Sequence, residues 1–353
     1  MTPLNVAVIG CGVIASPYAE HMRAYDSVRL HACHDVDHEK AEAYARTHGA
    51  QARASLDELL ADQDVDIVVN LTVLGAHHDV SRRALRAGKH VFSEKPLAER
   101  GEDAWELVRL AREAGVRLAC APITFLGAAQ RRAVRELRSG RIGTVRVIYA
   151  EANHGRIETW HPVPHSFYRV GPLRDVGVYP LSVITAAFGP AARVTAVARS
   201  LMPERVTKRG AAFRTEAPDW YVVTLDLSAG PVVRLTASFY TSQHGRQRGI
   251  EFHGDLGMLH LGDWLSPHAD VHAAAFGEAY TELPTVEGAV AREFNWAAGL
   301  DDLARAVRED RPHVASGEQA AHLVDIFEAA HASIEHGGPV EVHSSFTPVS
   351  EPR

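Results

Sequence analysis

The chain has 353 residues, 46% hydrophobic and 23% charged, which is ordinary soluble globular composition and enough length for two domains. A net charge of −7 argues against a nucleic-acid partner, because phosphate backbones call for a basic face. Three cysteines are too few and too odd in number for a disulfide framework, and no apolar run approaches the roughly 20 residues of a membrane span.

The opening MTPLNVAVIG carries no basic leader and enters a strand directly, so a reducing, cytoplasmic setting is expected. Cys11, Cys33 and Cys120 sit at strand ends and read as small buried hydrophobes. The chain then alternates two periods. Residues 4–10 form an apolar strand, followed by a helical stretch to Tyr25. Residues 28–35 form a second strand, and 37–49 a helix stopped by Gly49. A third strand covers 65–72, and a helix over 77–89 stops at Gly88. A strand opening at His90, a helix over 98–115 and a strand over 116–120 follow. Strands that are apolar throughout, each followed by an amphipathic helix, predict an α/β domain whose parallel sheet is covered on both faces.

After Pro122 the pattern changes. Residues 128–140 read as a helix, and 144–153, 193–200, 220–228, 232–240 and 249–254 alternate apolar and polar residues. Such alternation predicts a large, open, mostly antiparallel sheet with one wet face. Helices are expected over about 296–309 and 317–336. The domains are therefore placed at 1–122, a nucleotide-binding Rossmann domain, and 123–353, an α+β domain for substrate and oligomer contacts. No linker or internal repeat marks the join. The 21 histidines show no repeated ligand spacing, so no metal is expected.

The first motif is GCGVIA, Gly10 to Ala15, between a strand and a helix. Gly10 permits the tight turn, Gly12 admits a pyrophosphate, and Ala15 allows close helix packing. Val13 and Ile14 complete the turn. Asp35 ends the second strand twenty-three residues after Gly12, the place of an acid that bonds ribose hydroxyls. It also repels a 2′-phosphate, and Val36 and Asp37 supply no Arg to hold one. The expected cofactor is NAD, with NADP the alternative. The second motif, Glu94-Lys95-Pro96, falls on the carboxyl edge of the same sheet, where ligands of open α/β sheets bind. Pro96 restrains the backbone of Lys95 and so aims its side chain. By itself Lys-Pro is more often a solvated turn.

The run NLTVLGAHHDVSRRALRAGKHVFSEKPLA, residues 70–98, resembles the Gfo/Idh/MocA oxidoreductases, glucose–fructose oxidoreductase and inositol dehydrogenase among them. Thr72, His77, Ala84-Leu85, Gly88 to Val91 and Glu94 to Ala98 fall in that family's register; Val73 stands where it usually has Pro. The resemblance implies that Thr72, Leu74, His77, Glu94 and Lys95 contact the cofactor. It also implies that Lys95, often before a cis proline in the family, reaches the reacting carbon and the nicotinamide ribose. The run GPLRDVGVYPLSVITAAFG, residues 171–189, is similar to the family's second motif. Asp175 and Gly177 match, Tyr179 replaces the usual catalytic His, and Ser182 the usual second acid. A Tyr branch of the family is thereby implied, with Lys95, Tyr179 and Asp175 catalytic.

Hydride leaves a carbinol carbon only if its hydroxyl proton leaves too, and a free Tyr has a pKa of about 10. Lys95 is expected to favour the phenolate of Tyr179, the two acting over one hydride-accepting ring. The competing reading of Tyr179 is a core aromatic. Residues 154–171 lack a clear period and are rich in His, Arg and aromatics. They are expected to cross a sugar site, with Arg156, Trp160, His161 and Tyr168 as contacts, or else to be a packed loop. Phe125 is a further contact implied by resemblance. The activity expected is NAD(P)-dependent hydride transfer to or from a sugar, cyclic polyol or sugar derivative. The alternatives are an enzyme using transient oxidation for elimination or glycosidic cleavage, and a non-catalytic sugar-binding regulator. A homo-oligomer, dimer or tetramer, is expected through the C-terminal sheet; no nucleic-acid or membrane partner is.

Overall fold

The computed structural model describes residues 2–284 and 295–348. The described chain divides into two units, one of residues 2–123 with 295–324 and one of residues 124–284 with 325–348.

In the first unit β1 (Leu4–Ile9), β2 (Val28–His34), β3 (Gln51–Ala52), β4 (Ile67–Asn70), β5 (His90–Ser93) and β6 (Leu118–Cys120) form one sheet in the order β3-β2-β1-β4-β5-β6. Every pair is parallel. Val6, Ala7, Val8, Ile67, Val68 and Val69 are all buried, so successive residues on opposite faces are equally covered. That needs helices on both sides. They are α1 (Ala15–Met22), α2 (His38–His48), α3 (Leu56–Ala61), α4 (Leu74–Arg86) and α5 (Gly101–Ala114). α5 shows why these segments are helical. Ala104, Leu107, Val108 and Ala111 recur on one buried face. Glu102 and Asp103 lie in the first turn, at the positive end of the helix dipole, and Gly115 closes the helix in the left-handed region. β3 and α3 are additions to the sequence reading; two and six residues are too short for a period to register. The strand order reverses between β1 and β4, which makes their carboxyl ends the switch point of the sheet.

The second unit holds α6 (Ala128–Arg138), α7 (His165–Val170), α8 (Pro172–Asp175) and α9 (Val178–Phe188). Its strands are β7 (Val145–Asn153), β8 (Ala191–Arg199), β9 (Glu204–Val206), β10 (Ala212–Arg214), β11 (Trp220–Leu227), β12 (Val232–Ser238), β13 (Gly249–Gly254), β14 (Gly257–Leu261), β15 (Val271–Ala275), β16 (Thr281–Glu282) and β17 (Val340–Glu341). Nine of them make one sheet, ordered β16-β15-β14-β13-β7-β12-β11-β8-β17, while β9 and β10 pair separately. The sheet is antiparallel except for the parallel pair β7 and β12. Val194, Ala196, Val223, Leu225, Val233 and Leu235 bury one face, and Val197, Thr224 and Val232 leave the other exposed. β15, VHAAA, was not expected as a strand: its alanines favour helix, and pairing with β14 overrides that preference.

Two helices close the chain, α10 (Ala298–Glu309) and α11 (Gly317–His336). α10 packs with the first unit, whereas the sequence reading gave all of 123–353 to the second. The cause is close approach: a Cβ on Gly299 would stand 2.4 Å from Ile123 and 2.9 Å from the Phe92 ring. Leu300, Leu303 and Ala304 are fully buried there. α11 contributes 317–324 to the first unit and 325–336 to the second. Among the described residues no helix is long and apolar enough to cross a membrane.

Candidate active site

In the first unit the site is built on the loops after β1, β2, β4 and β5. Gly10 has φ +92°, and a Cβ there would stand 2.7 Å from the Leu71 carbonyl oxygen. Only glycine lets the loops after β1 and β4 pass this closely. Gly12 is exposed with nothing within 4 Å of an added Cβ, an open cradle at the start of α1. Ile14 caps α1 without a side-chain bond, and in the first turn Ala15 N donates to Gly12 O at 3.1 Å and Tyr18 N to Ile14 O at 3.3 Å. Asp35 is fixed before any ligand arrives. One carboxylate oxygen accepts from Cys11 N at 2.8 Å, the other from Asp37 N at 2.9 Å. Val13 is 93% exposed and Val36 99%, apolar side chains left in water beside that acid. The nearby Lys40 is paired with Asp37 at 3.2 Å. An open glycine turn, a positioned acid and bare apolar flanks fit an adenine dinucleotide. The neighbouring charges, Asp35 and Asp37, disfavour a 2′-phosphate.

The loop after β4 turns on Asn70, which sequence reasoning passed over. Fully buried, it accepts from Thr72 N and Thr72 Oγ1 and donates to His77 O and Ser81 Oγ. An Asn ending an otherwise apolar strand was the available signal. Val73 stands at φ −74°, the value a proline would impose, so its replacement of Pro leaves the turn unchanged. Leu74 opens α4, partly exposed. His77 corrects the expectation of a cofactor contact. It is 2% exposed, and its ring nitrogens lie 2.8 Å from Pro96 O and 3.0 Å from Thr72 O. It ties the loop after β4 to the turn after β5.

That turn carries Lys95, partly exposed, and the Lys95–Pro96 bond is cis. Glu94 is buried, and its carboxylate accepts from Tyr18 Oη at 2.8 Å and from Lys95 N at 3.0 Å. The Tyr18 ring is itself held between Phe92 and Trp296. Glu94 thus fixes the backbone from which Lys95 projects.

In the second unit Asp175 ends α8 and Tyr179 opens α9, both partly exposed. A Cβ on Gly177 would stand 2.5 Å from Leu173 O, so the sharp junction between these helices requires glycine. Ser182 is buried and donates to Tyr179 O at 2.7 Å, serving the helix. The Tyr179 ring stacks on Trp264, centroids 5.2 Å apart and planes 19° off parallel. Trp264 donates Nε1–H to Glu151 O at 2.9 Å, and Gln130 Nε2 donates to Asp263 O and Ser266 O, holding its turn. The sequence pattern gave no sign of Trp264.

The 154–171 segment is ordered by a 3₁₀ turn at Ile157–Thr159 and by α7. Trp160 is 46% exposed and makes edge contacts with His154, His161 and Phe167. Arg156 is exposed, its guanidinium 5.0 Å over the Tyr240 ring. Tyr168 corrects the reading of a substrate contact. Its ring is buried; its hydroxyl donates to Glu158 and accepts from Arg205 at 2.8 Å and Ile157 N at 3.2 Å. Burial pushes that phenol well above its ordinary pKa, helped by the bond to Glu158. Arg205, with no exposure, also pairs with Glu158 at 2.8 Å and Asp219 at 2.6 Å. Phe125, expected as a further contact, is 4% exposed. Among the described residues His31, Asp62 and Asp64 form a His/Asp group, but Asp62 is already paired with Arg53 and His31.

Residues 4–121 match the model described as an oxidoreductase family with an NAD-binding Rossmann fold, and residues 131–260 match the GFO/IDH/MocA C-terminal domain. The chain is 39% identical over 165 residues to a dTDP-3,4-didehydro-2,6-dideoxy-alpha-D-glucose 3-reductase of Streptomyces violaceoruber, covering 44% of this chain and 46% of that one. To the protein of that name in Actinomadura kijaniata it is 29% identical over 325 residues, 90% and 89% of the two chains. The fold also matches a levoglucosan dehydrogenase solved with NADH and L-sorbose, with TM-score 0.82, 19% identity and 97% and 99% coverage.

Proposed function

The chain belongs to the Gfo/Idh/MocA oxidoreductases, and from that membership we propose that it moves a hydride between NAD and a carbinol or keto carbon of a sugar, cyclic polyol or sugar derivative. The observation that carries the reading is the preformed nucleotide edge, with Gly12 open, Asp35 held by two amides and Lys95 projecting from the next loop but one. Named relatives that act on sugars support the substrate class.

NAD supplies the hydride acceptor when bound. Gly10, Gly12, Val13 and Ile14 would hold its pyrophosphate, Asp35 its adenosine ribose, and Thr72 and Leu74 the adjoining loop. In this reading Lys95 bonds the substrate hydroxyl and assists its deprotonation. Tyr179 exchanges the hydroxyl proton, and Asp175 orients the substrate. Trp160, with His161 and Arg156 beside it, offers a face on which a sugar ring stacks. Oxidised nicotinamide cannot accept the hydride productively unless the oxygen loses its proton, so the charged and phenolic groups are the chain's own contribution. Three unbridged thiols fit a reducing compartment.

The test is a panel of sugars and inositols assayed for NAD reduction, run with wild type and Lys95→Met. Turnover is expected on at least one compound in wild type and none in the variant, with NAD affinity nearly unchanged. Undiminished turnover by the variant contradicts the role of Lys95. Cofactor that survives purification and cycles without net absorbance change would favour transient oxidation instead.

A further inference from the structure

The chain is acidic overall, yet the surface around Trp160 is not. Residues 152–169 contain one acid, Glu158, and residues 240–249 contain none. Glu158 is removed from the surface: it is buried against Arg205 and Tyr168. The two segments lie side by side. Gly155 N donates to Thr241 O at 3.0 Å, His154 N to Ser238 O at 2.9 Å, and Asn153 Nδ2 to Gln247 O at 3.4 Å. The surface they share presents Arg156, Arg246 and Arg248, all exposed. In this unit Arg146, Arg193, Arg214 and Arg234 are taken up by Asp255, Asp226, Glu204 and Glu151, while among the described residues Arg135, Arg138, Arg169 and Arg209 stand elsewhere without an acidic partner. Among the described residues Arg156, Arg246 and Arg248 have no acidic partner; Arg156 rests on the Tyr240 ring instead.

Self-repulsion among unpaired guanidinium groups is a cost that a neutral polyol would not relieve. A phosphate would, because the guanidinium fork matches its oxygens in geometry as well as charge. We propose that Arg156, Arg246 and Arg248 form a cationic subsite beside the Trp160 face, and that it takes the phosphate or diphosphate group of an anionic sugar. The proposal rests on the sugar-oxidoreductase reading and narrows its substrate class. Three cations argue for more than one negative charge, which a single carboxylate does not bring. Arg156 would lie nearest the stacked ring, and Arg246 and Arg248 would reach the phosphates from the 241–248 loop.

Calorimetry on the NAD-saturated protein tests this with four probes: inorganic pyrophosphate, glucose 1-phosphate, uridine diphosphate glucose and glucose. Pyrophosphate is expected to bind, and each phosphorylated sugar to bind about tenfold or more tightly than glucose. That advantage should shrink as salt rises. In Arg246→Ser/Arg248→Ser the advantage should vanish while NAD affinity stays the same. A diphosphate sugar binding more tightly than the monophosphate identifies a nucleotide-linked substrate; equal affinity identifies a simple sugar phosphate. Glucose binding as tightly as the phosphorylated probes, no binding of pyrophosphate, or an unchanged advantage in the double variant each overturns the subsite. Hydride transfer is read separately from nicotinamide absorbance. Phosphate-dependent binding without any redox turnover would defeat the dehydrogenase reading and leave the subsite standing.

Discussion

Tyr179 does not stand alone on its helix: its ring is backed by Trp264, whose indole N–H is committed to a backbone carbonyl and whose turn is clamped by the buried Gln130. A phenol that must exchange a proton with substrate gains from being held, because a positioned group does not pay orientational entropy at each turnover. Tyr179→Phe keeps the stack and removes only the hydroxyl. Its kcat should fall about a hundredfold or more, the usual span of a general acid or base, with NAD affinity unchanged. Trp264→Leu keeps the hydroxyl and removes the backing; it should lower kcat less and blur its pH profile, and Trp264→Phe should recover most of the loss. Steady-state kinetics across pH decides it, and an undiminished rate in Tyr179→Phe would move the proton to another group. At this scale the sequence singled out Tyr179 as a candidate, because it sits in a motif, and gave no sign of Trp264. A stacking partner eighty-five residues away leaves no periodic trace. The same limit explains His77, Phe125 and Tyr168. Their residue types suit a ligand site, and what the structure adds is their burial, with filled hydrogen bonds at His77 and Tyr168.

The long elements were legible because each repeats one physical rule often enough. α11 is read over 317–336 and observed at Gly317–His336. The β1, β2 and β4 strands bury both faces and read as unbroken apolar runs. What escaped were elements of two to six residues, such as β3, α3, β9 and β10, where pairing and packing decide the conformation. α11 also carries a testable charge. His322 has no exposure, and burial pushes its pKa down to about 4 from the ordinary 6.5. The folded state therefore keeps this imidazole neutral, while the unfolded chain protonates it near 6.5. The stability this contributes is complete above about pH 6.5 and is lost as pH falls towards 4. The loss is about 3 kcal/mol. His313 and His90, also lowered chiefly by burial, act in the same direction in the same unit. Urea unfolding of wild type and His322→Gln at several pH values should show a shallower acid decline in the variant. Parallel curves would mean that His322 does not set the slope.

At the scale of the whole molecule, the nine-stranded sheet leaves one face uncovered by its own unit's strands and turns. On the β8, β11 and β12 side that face carries valines among polar residues: Val197 is 48% exposed and Val232 43%, Val222 stands opposite Val197 in the ladder, and Arg193, Thr195, Thr224 and Asp226 share the face. Towards the other edge it becomes polar, in one cross-strand row running Arg234, Tyr149, Glu251, His260, His272 and Glu282. The edge strands β16 and β17 are two residues each, too short to recruit a neighbour by strand pairing. If the sheet associates, it does so by its face. Exposed valines set among threonines and charges of both signs suit a second copy laid on the face by a two-fold axis, each patch meeting its own equivalent. We expect a homo-oligomer formed through this face. Sedimentation of wild type should give a species heavier than one chain. Val197→Glu with Val222→Glu buries like charges against each other across the axis and should yield the single chain. The NAD affinity of that single chain should be retained, since the nucleotide edge lies wholly in the first unit. A wild type that sediments as one chain at micromolar concentration would leave the exposed valines without a partner and remove the idea.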